Sequence, residues 1–201
     1  MIYTGIGSRS TPKSVQCLMT VFAYTFNGML RSGGADGADL AFEIGASNKE
    51  IYLPSRGFNS SDSKLVVTEF PNFKEIEEIA SIIHPSWKSC TDYAKLLHSR
   101  NVCQVLGQDL ETPSELVICW TPDGANNRTS NVGRTTGGTG TAISLAKQFD
   151  ILVLNIKNTD DLAGMVELAN GQFIENFMAL SDTLDDDVLR ECLDLLESIG
   201  I

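Results

Sequence analysis

The sequence predicts an α/β protein with a Rossmann-like, doubly wound, mainly parallel sheet flanked by helices and followed by a helical C-terminal segment. Two observations carry this reading. Short apolar runs bounded by glycine or proline alternate with stretches of helical periodicity, the pattern of strand–helix–strand units. In addition, three glycine-rich turns, GIGSRS (5–10), SGGADGAD (32–39) and TTGGTGTA (135–142), each follow an expected strand or precede an expected helix.

Each element has its own warrant. MIYTGIG is a short buried strand running into a glycine turn. Pro12 then opens a helix to about residue 26, in which Val15, Leu18, Met19 and Phe22 recur at helical spacing. GMLRSGG is the second strand, and a helix is expected from Asp36 to about Ala46. KEIYLP is the third strand, stopped by Pro54, and SRGFNSSDSK is a polar loop. NFKEIEEIASII and TDYAKLLHSRNVCQVLG read as helices, and SELVICW as a strand ending at Pro122. After the long loop TPDGANNRTSNVGRTTGG come a helix in TGTAISLAKQF and a last strand in DILVLNI.

Beyond residue 158 the pattern is helical. Val188, Cys192, Leu195, Leu196 and Ile199 form one apolar stripe, and Asp182, Asp185, Asp186 and Asp187 gather at its start, where a helix dipole favours negative charge. This segment reads first as a packed helix with a solvated acidic face and second as a surface for a partner or a homo-oligomer. Residues 1–157 are expected to form a nucleotide-binding domain, and 158–201 an acidic helical extension packed on it.

Composition narrows the function classes. A chain of 201 residues suits one α/β domain with a generous core. No apolar run approaches the roughly 20 residues that span a bilayer, and the start MIYTGIGSRS lacks the layout of a secretory signal, so a cytoplasmic protein without membrane partners is expected. The five cysteines (Cys17, Cys90, Cys103, Cys119, Cys192) form no CxxC pair and only His84 and His98 could join them, so neither a metal site nor a disulfide framework is expected. No cofactor is expected either. Residues 1–157 carry 14 Lys/Arg against 15 Asp/Glu, whereas 158–201 carry 1 against 11. The acidity therefore belongs to the C-terminal segment, and an anionic ligand remains compatible with the first part.

In a doubly wound sheet the loops at the carboxyl ends of the strands gather on one edge, where ligands bind. Glycine removes the β-carbon and permits positive φ, so that Gly7, Gly33, Gly34, Gly137, Gly138 and Gly140 would let backbone amides approach phosphate oxygens. Ser8, Ser32, Thr139 and Thr141 could add hydroxyls, and Ala35 continues the second turn. Arg9, Arg31, Arg56, Arg128 and Arg134 lie beside these turns or in loops expected at the same edge, and the guanidinium fork suits phosphate. GIGSRS has Ser10 where the dinucleotide fingerprint has its third glycine, and GRTTGGT has no P-loop lysine, so ATP hydrolysis is not expected. Each turn read singly serves equally well for tight packing.

GIGSR, SGGADGADLAFEIGA and TGGTGTAISLA together resemble the SLOG superfamily, Rossmann-like proteins that include the Lonely Guy phosphoribohydrolases and the DNA-processing protein A group. KEIYLPSRGFN, LHSRNVCQVLG and VICWTPDG are similar to small bacterial and phage members. The resemblance covers about residues 1–157 and implies a nucleotide-type ligand over the first, second and last glycine turns. The Lonely Guy motif has proline, two glycines, any residue, Gly-Thr, two further residues and a catalytic glutamate. Here Thr136 replaces the proline, Gly137, Gly138, Gly140 and Thr141 match, and Ser144 stands in the place of the glutamate. Cleavage of an N-glycosidic bond would therefore need another acid. Asp36 is the first candidate for that role and Asp39 the second, although both read first as acids that cap the following helix or favour its dipole.

His98, Arg100 and Asn101 form a polar cluster in an apolar segment, and only His98 and Asn101 are spaced to share a helix face. Asn101 could read a base or ribose, or belong to a hydrogen-bond network. Trp120 could stack on a base or close an apolar strand as core. Three functions follow: a nucleotide-binding protein that hydrolyses the glycosidic bond, a non-catalytic sensor or sequestering protein for a nucleotide signal, and a mediator of single-stranded DNA recombination. The third ranks last, because no basic stripe interleaved with aromatics is present and the acidic segment would repel a polyanion.

Overall fold

The computed structural model describes residues 1–126 and 136–201. Six strands, β1 (Ile2–Gly7), β2 (Met29–Ser32), β3 (Lys49–Leu53), β4 (Leu65–Val66), β5 (Leu116–Trp120) and β6 (Leu152–Asn155), form one sheet in the order β4-β3-β2-β1-β5-β6. Every adjacent pair is parallel. Strands β1 to β4 run outward in one direction, and β5 then returns to the free side of β1. The direction of winding reverses between β1 and β5, whose ends pair as Gly7 with Trp120.

The helices cover both faces. On one lie α1 (Lys13–Thr25), α2 (Ala38–Gly45), α6 (Thr159–Leu168), α7 (Gln172–Ser181) and α8 (Asp186–Glu197); on the other lie α3 (Phe73–Ile83), α4 (Asp92–Leu106) and α5 (Thr139–Gln148). Strand residues alternate between the two cores, as the period of two requires. Leu116, Ile118 and Trp120 of β5 enter the α1/α2 core, while Val117 and Cys119 enter the α4/α5 core. Tyr3 anchors the first core, with Phe22, Phe26 and Phe42 edge-on to its ring at centroid distances of 5.7, 5.3 and 6.4 Å.

The expected fold class holds, with two local corrections. The polar stretch after β3 ends in a two-residue edge strand, Leu65–Val66, that pairs with Tyr52 and Leu53 and is too short to show periodicity. The second helix starts at Ala38 rather than Asp36, with Gly37 at its N-cap in a backbone conformation (φ 82°, ψ −121°) that favours glycine. Among the described residues no helix is long and apolar enough to cross a membrane.

The acidic C-terminal segment shares the first core. Phe173 and Phe177 of α7 and Cys192 and Leu196 of α8 are buried in the same cluster as Tyr3, Leu18 and Phe22, with Val188, Leu195 and Ile199 packed against it. The Ser14 hydroxyl of α1 donates to Glu191 of α8 at 2.8 Å. Truncating Phe177 to alanine is expected to destabilise the whole chain by about 3–5 kcal/mol in a single cooperative transition. Urea denaturation followed at probes in both parts of the chain checks this.

Candidate functional site

Where the winding reverses, the loops after β1 and β5 depart in opposite directions and leave a crevice at the carboxyl edge of the sheet. A cavity of about 360 Å³ fills it, a size suited to a small ligand. Its wall comes from the β1 turn (Ile6, Gly7, Ser8, Arg9), from Ala35 and Asp39, from one side of α4, and from residues 136–139 leading into α5. A second hollow of about 400 Å³ adjoins it, sharing His98, Gly137 and Gly138 and adding Gly140, Thr141 and Ser144.

The glycines of the three turns differ in what surrounds them. A β-carbon on Gly7 would stand 2.7 Å from both the Ala38 Cβ and the Trp120 carbonyl oxygen. On Gly33 it would overlap the Arg100 guanidinium, and on Gly37 it would meet the Ser8 carbonyl at 2.5 Å. These positions bring α2 and α4 hard against the β1 edge. Gly137 (φ 65°) and Gly138 have no described atom within 4 Å of such a carbon, and both line the cavity. Their freedom from side chains is therefore not used for packing among the described residues.

A buried ion pair holds the crevice open. Arg100 of α4 reaches Asp39 of α2 at 3.1 Å and donates to the Gly33 carbonyl at 2.6 Å, while the Gly7 amide donates to the other oxygen of Asp39 at 3.2 Å. Burial pushes the Asp39 carboxyl above the usual carboxylate range, and the Arg100 charge and the Gly7 amide pull it back. Burial likewise lowers Arg100, against the stabilising charge of Asp39. Each charge is tolerated there because of the other.

Helix α4 contributes the remaining polar wall. Its N-cap is Thr91, whose hydroxyl accepts from the Ala94 amide. Ala94, Leu97, His98, Asn101 and Gln104 follow helical spacing along the cavity. Asn101 donates to the Gly138 carbonyl at 2.8 Å, and His98 Nδ1 lies 2.8 Å from the Thr141 hydroxyl, so α4 fixes the start of α5 at two points. Burial, with the nearby His84 and Arg100, pushes the His98 imidazole down to about 4, and it is neutral at physiological pH. The Gln104 side chain adds to the pull of Arg100 and the Gly7 amide on the Asp39 carboxyl, and Arg100 Nε is buried without a hydrogen-bond partner among the described residues.

The expected site residues thus divide. Gly7, Ser8, Arg9, Ala35, Asp39, Asn101, Gly137, Gly138 and Thr139 come together at the cavity, and Gly140 and Thr141 at the adjoining hollow. Gly33 and Gly34 are buried, and the Ser32 hydroxyl donates to the Gly5 carbonyl inside the sheet. Asp36 is exposed and lies outside the cavity lining, because the helix begins after it. Arg56 is exposed and paired with Glu69 at 2.6 Å, away from the cavity. Trp120 has the parity that turns it into the α1/α2 core, where it lines a separate hollow with Pro12 and Leu195 instead of the cavity. Arg31 is buried against Glu50. Arg128 and Arg134 lie outside the described residues.

Sequence reasoning separated Arg100 from His98 and Asn101 by helical spacing and passed over Gln104. Arg100 stands three residues after Leu97 and four before Gln104, so it shares their side of α4 although its spacing from His98 alone does not show this. The run Leu97, Asn101, Gln104, at intervals of four and three, was the available signal for a polar face on α4. Comparison of the chain with protein-family models, curated proteins and solved structures yields no match.

The ion pair makes a prediction that separates structural from exposed acids. Arg100→Met should strand the Asp39 charge and destabilise the fold by about 3–5 kcal/mol, with much of the loss regained in an Asp39→Leu, Arg100→Met double variant. Asp36→Asn should change stability by less than about 0.5 kcal/mol. Denaturant titration of the variants reads both.

Proposed function

We propose that this chain binds a nucleotide or nucleotide-derived phosphorylated ligand in the switch-point cavity and holds it intact, as a sensor or sequestering protein for a nucleotide signal. The observation that carries this reading is the pair of side-chain-free positions Gly137 and Gly138, lining the cavity at the amino end of α5. A helix start offers amide donors and positive potential to an anion. Arg9, exposed on the β1 turn that lines the same cavity, has no ion-pair partner among the described residues and supplies a charge for a phosphate. Arg100 Nε, buried without a hydrogen-bond partner among the described residues, favours a ligand with polar groups of its own, since buried polar groups are ordinarily paired.

The SLOG resemblance belongs to the same reading, and two of its glycines, Gly137 and Gly138, are the open ones. Retention of the ligand, in preference to hydrolysis, rests on the acids. Asp39 is the only carboxylate lining the cavity among the described residues, and it is committed to Arg100 and the Gly7 amide. Ser144 occupies the place of the Lonely Guy glutamate and cannot act as a carboxylate base.

The test is calorimetric titration with a panel of nucleoside 5′-monophosphates and dinucleotides, with mass analysis of the mixture afterwards. Gly138 has negative φ and open space on the described protein side, so Gly138→Val should leave stability nearly unchanged and lower ligand affinity by roughly tenfold or more. Unchanged affinity in that folded variant would sink the cavity reading. Release of free base and ribose phosphate would replace retention by hydrolysis.

A second prediction concerns the rim. Arg9→Ala should weaken phosphorylated ligands by roughly tenfold, the worth of one charge-assisted hydrogen bond, and leave the matching nucleosides unaffected. Equal losses for both would remove Arg9 from phosphate recognition.

A further inference from the structure

The chain contains two histidines, and the fold brings both to one place. His84 follows α3, His98 lies on α4, and their rings are 4.2 Å apart between centroids. Cys90, which ends the short turn between those helices, puts its Sγ 3.7 Å from His84 Nδ1 and 3.9 Å from its Nε2. One donor atom from each of the three lies within 4.8 Å of the others. A metal with Zn–S of about 2.3 Å and Zn–N of about 2.0 Å at tetrahedral angles holds sulfur and nitrogen about 3.5 Å apart. The cluster is thus near the spacing of a coordination sphere without its ion.

We infer that His84, Cys90 and His98 form a site for a divalent transition metal of the zinc type, with its remaining coordination position open toward the hollow beside the glycine turn. Two imidazoles and one thiolate are a borderline-soft donor set that suits zinc, and three protein ligands leave a fourth position for water or a ligand oxygen. The His98 ring is oriented by the Thr141 hydroxyl at Nδ1, which leaves Nε2 to the metal in the manner of a supporting outer-shell contact. Trp87 stands beside both imidazoles, 6.4 Å from one ring and 6.5 Å from the other, and shields that side from water. Nδ1 of His84 accepts the Ser86 amide at 3.2 Å, a contact at the exposed surface that ligation would return to water. Binding exchanges the Cys90 thiol proton for the metal, so one proton passes to solvent per ion bound.

The hollow in front of the cluster is lined by His84 and His98 together with Gly137, Gly138, Gly140 and Ser144. An ion there would add positive charge directly beside the turn on which the anion-binding reading rests. The metal site stands on its own three ligands and does not require that reading.

The test uses the full chain stripped with chelator and titrated with Co²⁺ and Zn²⁺ in the absence of nucleotide. Expected are one equivalent bound, a near-ultraviolet thiolate-to-cobalt band, visible bands of a tetrahedral ion, and bleaching of these by zinc. Cys90→Ser should abolish the thiolate band, and His84→Gln should weaken binding at least tenfold. Both residues are only half-buried, so these variants should remain folded. Thr141→Val should weaken cobalt binding by about tenfold, with Thr141→Ser restoring it. Absence of one-to-one binding, or cobalt spectra unchanged in Cys90→Ser and His84→Gln, would overturn the site.

Discussion

One buried contact, the ion pair of Asp39 and Arg100, joins the two helical layers across the carboxyl edge of the sheet. Asp39 belongs to α2 on one face and Arg100 to α4 on the other, and between them they hold the backbone of Gly7 and Gly33, the turns after β1 and β2. Sheet edges of this kind have no hydrophobic face to close them. A charged pair that also engages the Gly7 amide and the Gly33 carbonyl supplies the closure, at the cost of removing two ions from water. The crevice has a defined floor because this pair fixes how far apart the layers stand.

The glycine turns divide their labour around that floor. Gly7, Gly33 and Gly37 permit backbone and guanidinium to meet at distances that no side chain allows. They answer to the ion pair and to the β1 turn, and so are explained without a ligand. Gly137 answers to its own left-handed backbone, and Gly138 answers to none of these. A glycine-rich stretch is thus two kinds of object, and the neighbours of the missing β-carbon tell them apart.

Much of the fold was legible in the sequence, because strand and helix periodicities report burial directly. The alternation of buried strand and amphipathic helix located five of the six strands, missing only β4, whose two residues carry no period. The site was legible where chemistry follows local spacing, as for the glycine turns, Asp39 and Asn101. It was not legible where helix face or strand parity decides. Arg100 shares its face with Leu97 and Gln104 and not with His98, the residue it was compared with, and Trp120 is turned away by the alternation it shares with Leu116 and Ile118. Asp36 was displaced when Gly37 took the N-cap. The meeting of His84, Cys90 and His98 depends on how α3 and α4 pack, which no short spacing encodes.

The strand order has a consequence for how the chain comes into being. β1, β2 and β3 pair in the order in which they are made, each with a neighbour that has just preceded it. β1 meets β5 only across a separation in which Tyr3 awaits Leu116. During synthesis the first half of the sheet therefore stands with the inner edge of its central strand bare until Leu116–Trp120 emerges. The loop to be closed is long, and its entropy is recovered only when the second core forms. The switch-point cavity, whose walls need both halves, for the same reason has no shape until β5 and the start of α5 have joined β1.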